Sequence, residues 1–588
     1  MHTTSGLCAS LALLALSSTS FAQTIFVDAN LASGANDGSS WANAYQGSSG
    51  LQTALAASVA GDDIFVAQGT YFPTAGASRT VSFRLKTGVE IYGSFAGGEA
   101  SPDERPAFGS APSVLSGDLS GNDGSNLFND NSFQVVHGAS ANSTAVLDGF
   151  EVRGGNSNGS GANSRGGGIL LENGSSATVR NCFFIGNRCT FGGGAGYINS
   201  SSPTFTDCEF IDNLGGSFGG AFDMATVSNV RFDRCTFEGN SASRAGALES
   251  FASTGVIVTN SVFRDNTATG GSGGGGLWVG NGGNAQVRNC TFVDNHAPST
   301  VGGGIRNQGT TLTVANSILW DNTGPGGAQA SANQISGGGT ITYSIIEGGL
   351  AGTGNLGLNP QFANLLGGDL RLSDGSPAID SGNNNAAPAG TNYDRDRGPR
   401  RLDDPAVTNT GVGTVPVDRG AYEYSDPKFE SFCFGDGSGN QCPCGNNSAL
   451  GHGGGCAHAA GNGGILAASG NPSIANSTLL FGLSSARLNS FSVLTSGDNR
   501  LPQMGNVGAG IQAFDGLRCT GGNFRRHGAR SINFNGVTNN WGPGNIVQTG
   551  SFTAGQTRHF YVLFRTQETE SCMTGLNSSN GVTVNFVN

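Results

Sequence analysis

Lysine is almost missing from this 588-residue chain: only Lys86 and Lys428 occur, and no basic run exists. The formal net charge is −12. That balance argues against nucleic acid or an anionic membrane surface as a partner. Charged residues make up 12%, about half the usual share. Long apolar runs are also missing. Residues 7–16 are apolar but too short to span a bilayer, and no later segment qualifies. With Ser20-Phe21-Ala22 as a small-x-small cleavage site, they read as a secretory signal that lacks a basic start. The mature chain is then expected to begin at Gln23, with no transmembrane segment left. Helical periodicity is scarce as well, which leaves β-structure as the fold class.

What the chain has in excess is glycine, 99 residues, set at repeating positions beside β-branched and aromatic runs. An aromatic or Leu, two spacers and Asn recur as Phe184–Asn187, Phe210–Asn213, Phe237–Asn240, Phe263–Asn266, Phe292–Asn295 and Leu319–Asn322. The Asn positions advance by 26, 27, 26, 29 and 27 residues. Two residues before each aromatic or Leu stands Cys182, Cys208, Cys235, Ser261, Cys290 or Ser317. Glycine clusters followed by short apolar runs lie between the motifs, as in residues 166–171, 273–279 and 302–305. This step predicts a stacked β-solenoid with one repeat per coil.

One coil cannot bury its own apolar face, but stacked coils share a core. In-register strands lie roughly 4.8 Å apart, so equivalent residues form columns. The Phe column becomes a ring stack, and the Asn column an amide ladder. Val179, Phe205, Phe232, Val258, Val287 and Val314 sit three residues before the Cys/Ser column. An odd offset cannot keep two inward positions on one straight strand. A corner is therefore predicted near Asn181, Asp207, Asn260, Asn289 and Asn316, residue types that tolerate left-handed backbone.

Residues 24–116 read as the N-terminal part, with strands at 25–27, 64–67 and 89–93. A helix at 51–59 would cover the open end, where a bare sheet edge would polymerise. Residues 133–136 and 146–152 add strands, and 340–346 one more coil. Residues 355–424 lose the repeat and read as a C-terminal cap. Residues 425–431 read as a linker. Residues 432–588 are rich in Cys, Gly and Asn, with strands at 478–481, 559–564 and 582–586. They predict a small disulfide-bonded β-sandwich.

The glycine-apolar and Phe-x-x-Asn alternation resembles the repeats of chlamydial polymorphic outer-membrane proteins. More broadly it is similar to the pectate-lyase-type right-handed parallel β-helix. Ser376-Pro-Ala-Ile-Asp380, Asp394-Arg-Asp-Arg-Gly398 and Val417-Asp-Arg-Gly-Ala-Tyr-Glu423 resemble the choice-of-anchor Q region that closes bacterial surface β-helices. Asn36-Asp-Gly-Ser-Ser-Trp41, Gly61-Asp-Asp-Ile64 and Gly69-Thr-Tyr71 are similar to the start of those proteins. The last 155 residues or so resemble a Cys-rich module of secreted planctomycete-type proteins. The resemblance implies an all-β chain: a right-handed parallel β-helix followed by the sandwich. It implies no chemistry, because this superfold hosts lyases, hydrolases, adhesins and inert scaffolds. No outer-membrane barrel follows, so the autotransporter arrangement does not carry over.

The candidate catalytic groups lie in the outward column before the predicted corner. It reads Arg180, Thr206, Asp233, Thr259, Arg288, Ala315. Arg180 and Asp233 would stand two coils apart, roughly 10 Å. An Arg base with an acid is conceivable, against a solvated mixed-charge face. The paired Asp, His-Gly and Arg-x-Lys pattern of polygalacturonases is absent, as is carboxylate spacing for glycoside hydrolysis. Net acidity opposes an anionic substrate unless a cation bridges them. Ca²⁺ is the candidate cofactor. Asp265, Asp294 and Asp321 precede the ladder Asn on successive coils, and Asp118, Ser120 and Asn122 alternate as calcium-loop oxygens do. Asp436 and Asn440 form a second such run. Neither run has the closing Glu, so both also read as polar turns.

Cys433, Cys442, Cys444, Cys456, Cys519 and Cys572 favour three disulfides with 15 possible pairings. Zinc on Cys442, Cys444, His452, Cys456 and His458 is the rival. The expectation is an exported, monomeric cell-surface or extracellular protein that contacts polysaccharide or other surface components. A polysaccharide lyase or hydrolase is the alternative, and a rigid spacer presenting the C-terminal module is a third reading.

Overall fold

The computed structural model describes residues 22–587 apart from 107–108, 326, 328–329, 388–392, 405–406, 414–416, 426–428, 438–440, 450–451, 460, 476, 502–509, 534–535, 539–540, 543–545, 547–549 and 567–573. The expected signal segment therefore lies outside the described residues, apart from Ala22. So do Cys572 and the side chain of Cys444.

Among the described residues, three long parallel sheets of 12, 10 and 9 strands form the sides of a solenoid. We call them sheets 1, 2 and 3. One coil runs through Thr204–Thr206 on sheet 1, Glu209–Ile211 on sheet 2 and Phe222–Ala225 on sheet 3. Left-handed residues make the corners: Asp207 (φ 55°), Asp212 (φ 53°) and Thr226 (φ 53°) in this coil. The first corner repeats at Asn181, Asn260, Asn289 and Asn316, and also at Arg234, which no propensity for φ > 0 would suggest. Residues 146–152 are not one strand. They split into Val146–Asp148 and Phe150–Arg153 at Gly149, where φ is 84°. Residues 340–346 split likewise, at Tyr343.

The inward columns pack without gaps. Phe237 and Phe263 stack at 4.6 Å, and Phe263 and Phe292 at 4.2 Å and 2°. All three are fully buried. The glycine clusters mark where one coil's backbone presses on the next. A Cβ at Gly246 would sit 2.2 Å from the Gly275 carbonyl oxygen. Beside the ring stack, each ladder Asn donates from Nδ2 to Oδ1 of the next. Asn213 reaches Asn240 at 2.9 Å, Asn240 reaches Asn266 at 2.9 Å and Asn266 reaches Asn295 at 2.8 Å. The same amide donates to the carbonyl of a Phe in the preceding coil, as Asn240 does to Phe210 at 2.8 Å. Asn187 starts the ladder and Asn322 ends it on Gln334 Oε1 at 2.7 Å.

The N-terminal end is covered by the helix Gly50–Ala57, which buries Leu51, Ala54 and Leu55 in the solenoid core. Lys86 Nζ donates to the Leu55 carbonyl at 2.8 Å, a cation at the helix C-terminus. At the far end Leu350 packs on the core, and Asn355 Oδ1 accepts from Ser344 N at 3.1 Å.

The rest of the predicted C-terminal cap does not lie on the end. It turns back as a strap along the outer face of sheet 2. Leu372, Ile379 and Tyr424 pack on Ile318 and Ile345, and Leu370 and Ala421 on Val262 and Val293. Further back, Arg395 Nη2 donates to Glu209 Oε1 at 2.9 Å. The physical reason is the apolar outward character of sheet 2 in its last coils, which needs cover. The strap has little regular structure, so its acids serve as backbone acceptors. Asp418 accepts from Asp380 N at 2.7 Å, Asp394 from Glu423 N at 2.8 Å and Glu423 from Leu402 N at 3.1 Å. Buried Arg400 donates to the carbonyls of Asp418, Gly420 and Ala421.

The C-terminal module starts inside the predicted linker, with the strand Phe429–Phe432. This strand joins Leu576–Asn585, Thr557–Arg565, Phe491–Gly497 and Arg525–Ser531 in one antiparallel sheet. Ile465–Ser469 pairs with Leu480–Ser484 against it. Leu466, Phe481, Trp541 and Phe560 fill the core between them. Disulfides Cys433–Cys519 and Cys442–Cys456 join the other side with Phe432, Leu517 and Tyr561.

Candidate functional site

In the outward column of sheet 1, each candidate group is already paired. Arg180 Nε donates to Asp148 on the preceding coil at 2.6 Å. Asp233 is held by Arg234 at 2.7 Å, Thr259 at 2.6 Å and Asn260 at 2.9 Å. Arg288 donates to Gln286 at 2.9 Å, and burial and nearby Arg231 lower its pKa. Arg180 and Asp233 do stand two coils apart in register, but each already has a partner.

The calcium candidates are also engaged. Asp118 accepts from the backbone of Asn122 at 3.0 Å and of Asp123 at 3.1 Å, and Ser120 N donates to Asp130 at 3.1 Å. The run is a polar turn. Asp265 pairs with Arg264 at 3.0 Å. The pKa of Asp294 is pushed up to about 6 by burial, then by the charges of Asp321 and Asp265. Among the described residues no group of three or more His, Cys, Asp or Glu could hold a metal ion. Asp436 is described, while Asn440 lies outside the described residues. Zinc is overturned in the module. Cys442 and Cys456 are bonded to each other, and His452 and His458 reach the carbonyls of Gly463 at 2.8 Å and Ser485 at 3.0 Å.

A different cluster emerges on sheet 3. Its outward column runs in register through Leu170, Tyr197, Asp223, Glu249, Trp278 and Arg306. Strand pairing therefore sets Asp223 and Glu249 on adjacent coils, about 5 Å apart. Both are buried, at 3% and 0% exposure. The loops that lead into sheet 3 bring Arg165, Phe191, Phe218 and Arg244 above them. The Arg165 guanidinium lies 4.4 Å from the Phe191 ring and 4.6 Å from the Tyr197 ring. The Arg244 guanidinium lies 4.3 Å from both Phe218 and Trp278. Phe191 and Phe218 meet edge-on at 4.7 Å. Arg188 over Phe128 and Arg79 over Phe133, each at 4.2 Å, repeat the pairing at earlier coils. The result is a ridge of alternating guanidinium and aromatic planes. Phe191 and Leu214 stay 36% and 40% exposed, and Phe218 is half-buried.

Burial raises the pKa of both carboxyls below the ridge. Burial and the charge of Glu249 push Asp223 up to about 8, against the pull of Arg165 and Arg244. Burial also raises Glu249, which pairs directly with Arg244. Glu249 Oε2 and Arg244 Nε are buried without a hydrogen-bond partner. Asp223 is pressed against Gly192, where a Cβ would stand 2.1 Å from Oδ2. Two buried acids on adjacent coils, both pushed up by burial, are groups of the kind acid–base chemistry uses. Here they are sealed below the ridge, so the ridge is the part open to a ligand. The signal for this column is the second residue of each short strand that follows a glycine cluster: Tyr197, Asp223, Glu249 and Trp278. No local spacing in the sequence reveals the pair, because the two acids are 26 residues apart.

Residues 119–272 match the family described as right handed beta helix region, and the chain folds as a right-handed parallel β-helix followed by the disulfide-bonded β-sandwich. No curated protein matches the chain. Two solved structures are similar. Pectate lyase Pel9A is 15% identical with a TM-score of 0.38, covering 69% of this chain and 97% of its own. An alginate lyase from Paenibacillus sp. str. FPU-7 is 16% identical with a TM-score of 0.25, covering 54% and 97%.

Proposed function

We propose that this is an exported protein that contacts polysaccharide along the ridge of sheet 3. The observation that carries the reading is the ridge itself: partly exposed aromatic rings clamped by guanidinium groups at coil spacing. A ring face stacks on the C–H face of a sugar, and guanidinium N–H groups donate to its oxygens. The rings are held by the arginines, so little side-chain freedom is lost on binding. Export is supported by two disulfides and by the signal-like residues 7–22. No helix among the described residues is long and apolar enough to cross a membrane. The test is retention of the purified protein by immobilised neutral and acidic polysaccharides, beside the double variant Phe191→Ala/Phe218→Ala. Wild-type retention that the variant loses supports the reading; equal behaviour of the two sinks it.

Glycoside hydrolysis is the second reading, and the Asp223–Glu249 pair favours it. Register sets the two acids side by side on adjacent coils, as paired acids are in retaining hydrolysis, and the ridge above would have to move aside for a glycosidic bond to reach them. Release of reducing ends that Asp223→Asn and Glu249→Gln both abolish, with unchanged melting, would move the function there.

A further inference from the structure

We infer that Asp62 is the receptor for the α-ammonium that cleavage before Gln23 creates, and that this ion pair closes the N-terminal end of the solenoid and shields Gln23 from cyclisation. The inference rests on the export reading above, with Ser20-Phe21-Ala22 as the cleavage site. Gln23 N stands 3.1 Å from Asp62 Oδ1. While the preceding residues are attached, this nitrogen is a neutral amide. After cleavage it carries a positive charge, and a plain hydrogen bond becomes a charge-assisted one.

The receptor is in place before the charge arrives. Asp62 is 1% exposed. It sits in the turn between the covering helix Gly50–Ala57 and the strand Asp63–Ala67. Its Oδ2 accepts from Val59 N at 2.8 Å, and its own amide donates to Val59 O at 3.1 Å. Asp63 N donates to Gln23 O at 3.0 Å, so Gln23 is gripped on both sides of its backbone. Beyond it Thr24 pairs in register with Asp63, and Val27 with Val66. The ammonium therefore ties the first strand of sheet 1 to the turn behind the covering helix.

This end of the solenoid is short of positive charge. Asp63 and Glu90 pair in register next to Asp62. Burial, then the charges of Glu90 and Asp62, raises the pKa of Asp63. Lys86 is engaged elsewhere: its Nζ donates to Leu55 O at 2.8 Å, to Ser58 O and to Ser58 Oγ at 3.2 Å. Arg180 Nη2 stands 3.9 Å from Glu90 Oε2. The new ammonium supplies a cation where three acids meet. The same contact decides a chemical fate. A free N-terminal Gln cyclises when its neutral α-amine attacks its own side-chain amide carbon. A lactam C–N bond forms, the bond to the amide nitrogen breaks, and the amine proton leaves with that nitrogen as ammonia. The attack needs the lone pair of the amine, and Asp62 keeps that nitrogen protonated. Gln23 is otherwise exposed, so packing does not hold its side chain back.

Mass spectrometry of the exported chain should read a start at Gln23 with its ammonia retained. NMR titration should then place the α-amine above its ordinary range of about 7.7–8.0, because the carboxylate beside it favours the ammonium. Asp62→Asn should return it to that range. At about pH 8, loss of ammonia from the folded protein should be roughly tenfold slower in wild type than in Asp62→Asn, in step with the smaller neutral fraction. Denaturant should erase that difference. A start elsewhere than Gln23 overturns the cleavage reading and this inference with it. A start at Gln23 with an amine in the ordinary range, or with equal ammonia loss in the two proteins, overturns the inference and leaves export standing. The wild-type titration needs no variant, so it decides even where Asp62→Asn fails to fold.

Discussion

Three cysteines, Cys182, Cys208 and Cys235, stack on consecutive solenoid coils and yet remain free thiols, as do Cys189 and Cys290. In the C-terminal module, four cysteines are joined in pairs. Both regions are expected to meet the same oxidising surroundings, so chemistry inside the protein makes the difference. The solenoid thiols donate to carbonyls, Cys182 to Arg180 O at 3.2 Å and Cys208 to Thr206 O at 3.4 Å. Burial pushes Cys290 and Cys189 up to about 12. A thiol that cannot ionise cannot attack or exchange. The solenoid is held by repetition, and its cysteines are small core side chains. The module has no repeat, and its chain must be restrained in the unfolded state instead. The two regions also differ in charge: residues 432–588 hold eight arginines against five acidic residues, within a chain of net −12.

Reduction should separate the two regions most strongly. The sequence separations of 86 and 14 residues correspond to about 4.5 and 3 kcal/mol of restraint. Calorimetry with reductant should show the module melting early and the solenoid transition unmoved. A shift of both transitions would mean that the solenoid leans on the module.

Next in size is Phe263→Ala, at about 3–5 kcal/mol. It should lower only the solenoid transition, because the ring stacks on Phe237 and Phe292. Asn240→Leu follows at about 1–3 kcal/mol, since Asn213 would lose its buried acceptor. An unchanged melting curve would show that the ladder adds nothing to the stability of the stack.

The smallest effect concerns pH. Burial and the neighbouring acids push Asp294 up to about 6, against an ordinary value of 3.8. A raised folded pKa means that stability is fully present below about pH 4 and is lost as pH rises through 6. Asp294→Asn should therefore melt slightly higher than wild type at pH 8 and no differently at pH 4. If millimolar Ca²⁺ raised the wild-type melting temperature at pH 8 but not that of the variant, the acidic corner would be an ion site.

The repeat makes much of the fold legible. Phe-x-x-Asn predicts sheet 2 and the ladder, and the odd offset to Val179 predicts the corner at Asn181. The strap was not legible. Its contacts join residues such as Arg395 and Glu209, 186 apart, and no local pattern encodes which face it covers. The ridge was half legible. Asp223 and Glu249 pair in register as the second residues of their strands, and Arg165, Phe191, Phe218 and Arg244 advance by 26, 27 and 26 residues, but their alternating residue types form no motif that singles them out.

The ladder has one more property, which is direction. Every link points the same way, from Nδ2 of one Asn to Oδ1 of the next, through six coils. It is a row of aligned dipoles whose positive ends all face the C-terminal side. Neighbouring amides in such a row polarise one another. Something must receive the last N–H. Gln334 takes it from Asn322 and passes its own to Glu347 Oε2 at 3.1 Å. The same Oε2 also accepts from Asp321 N at 2.8 Å, and with both donors pointing at it the series stops there. Glu347 is thus the terminator of a one-way chain, and it marks the coil beyond which the same ladder does not extend.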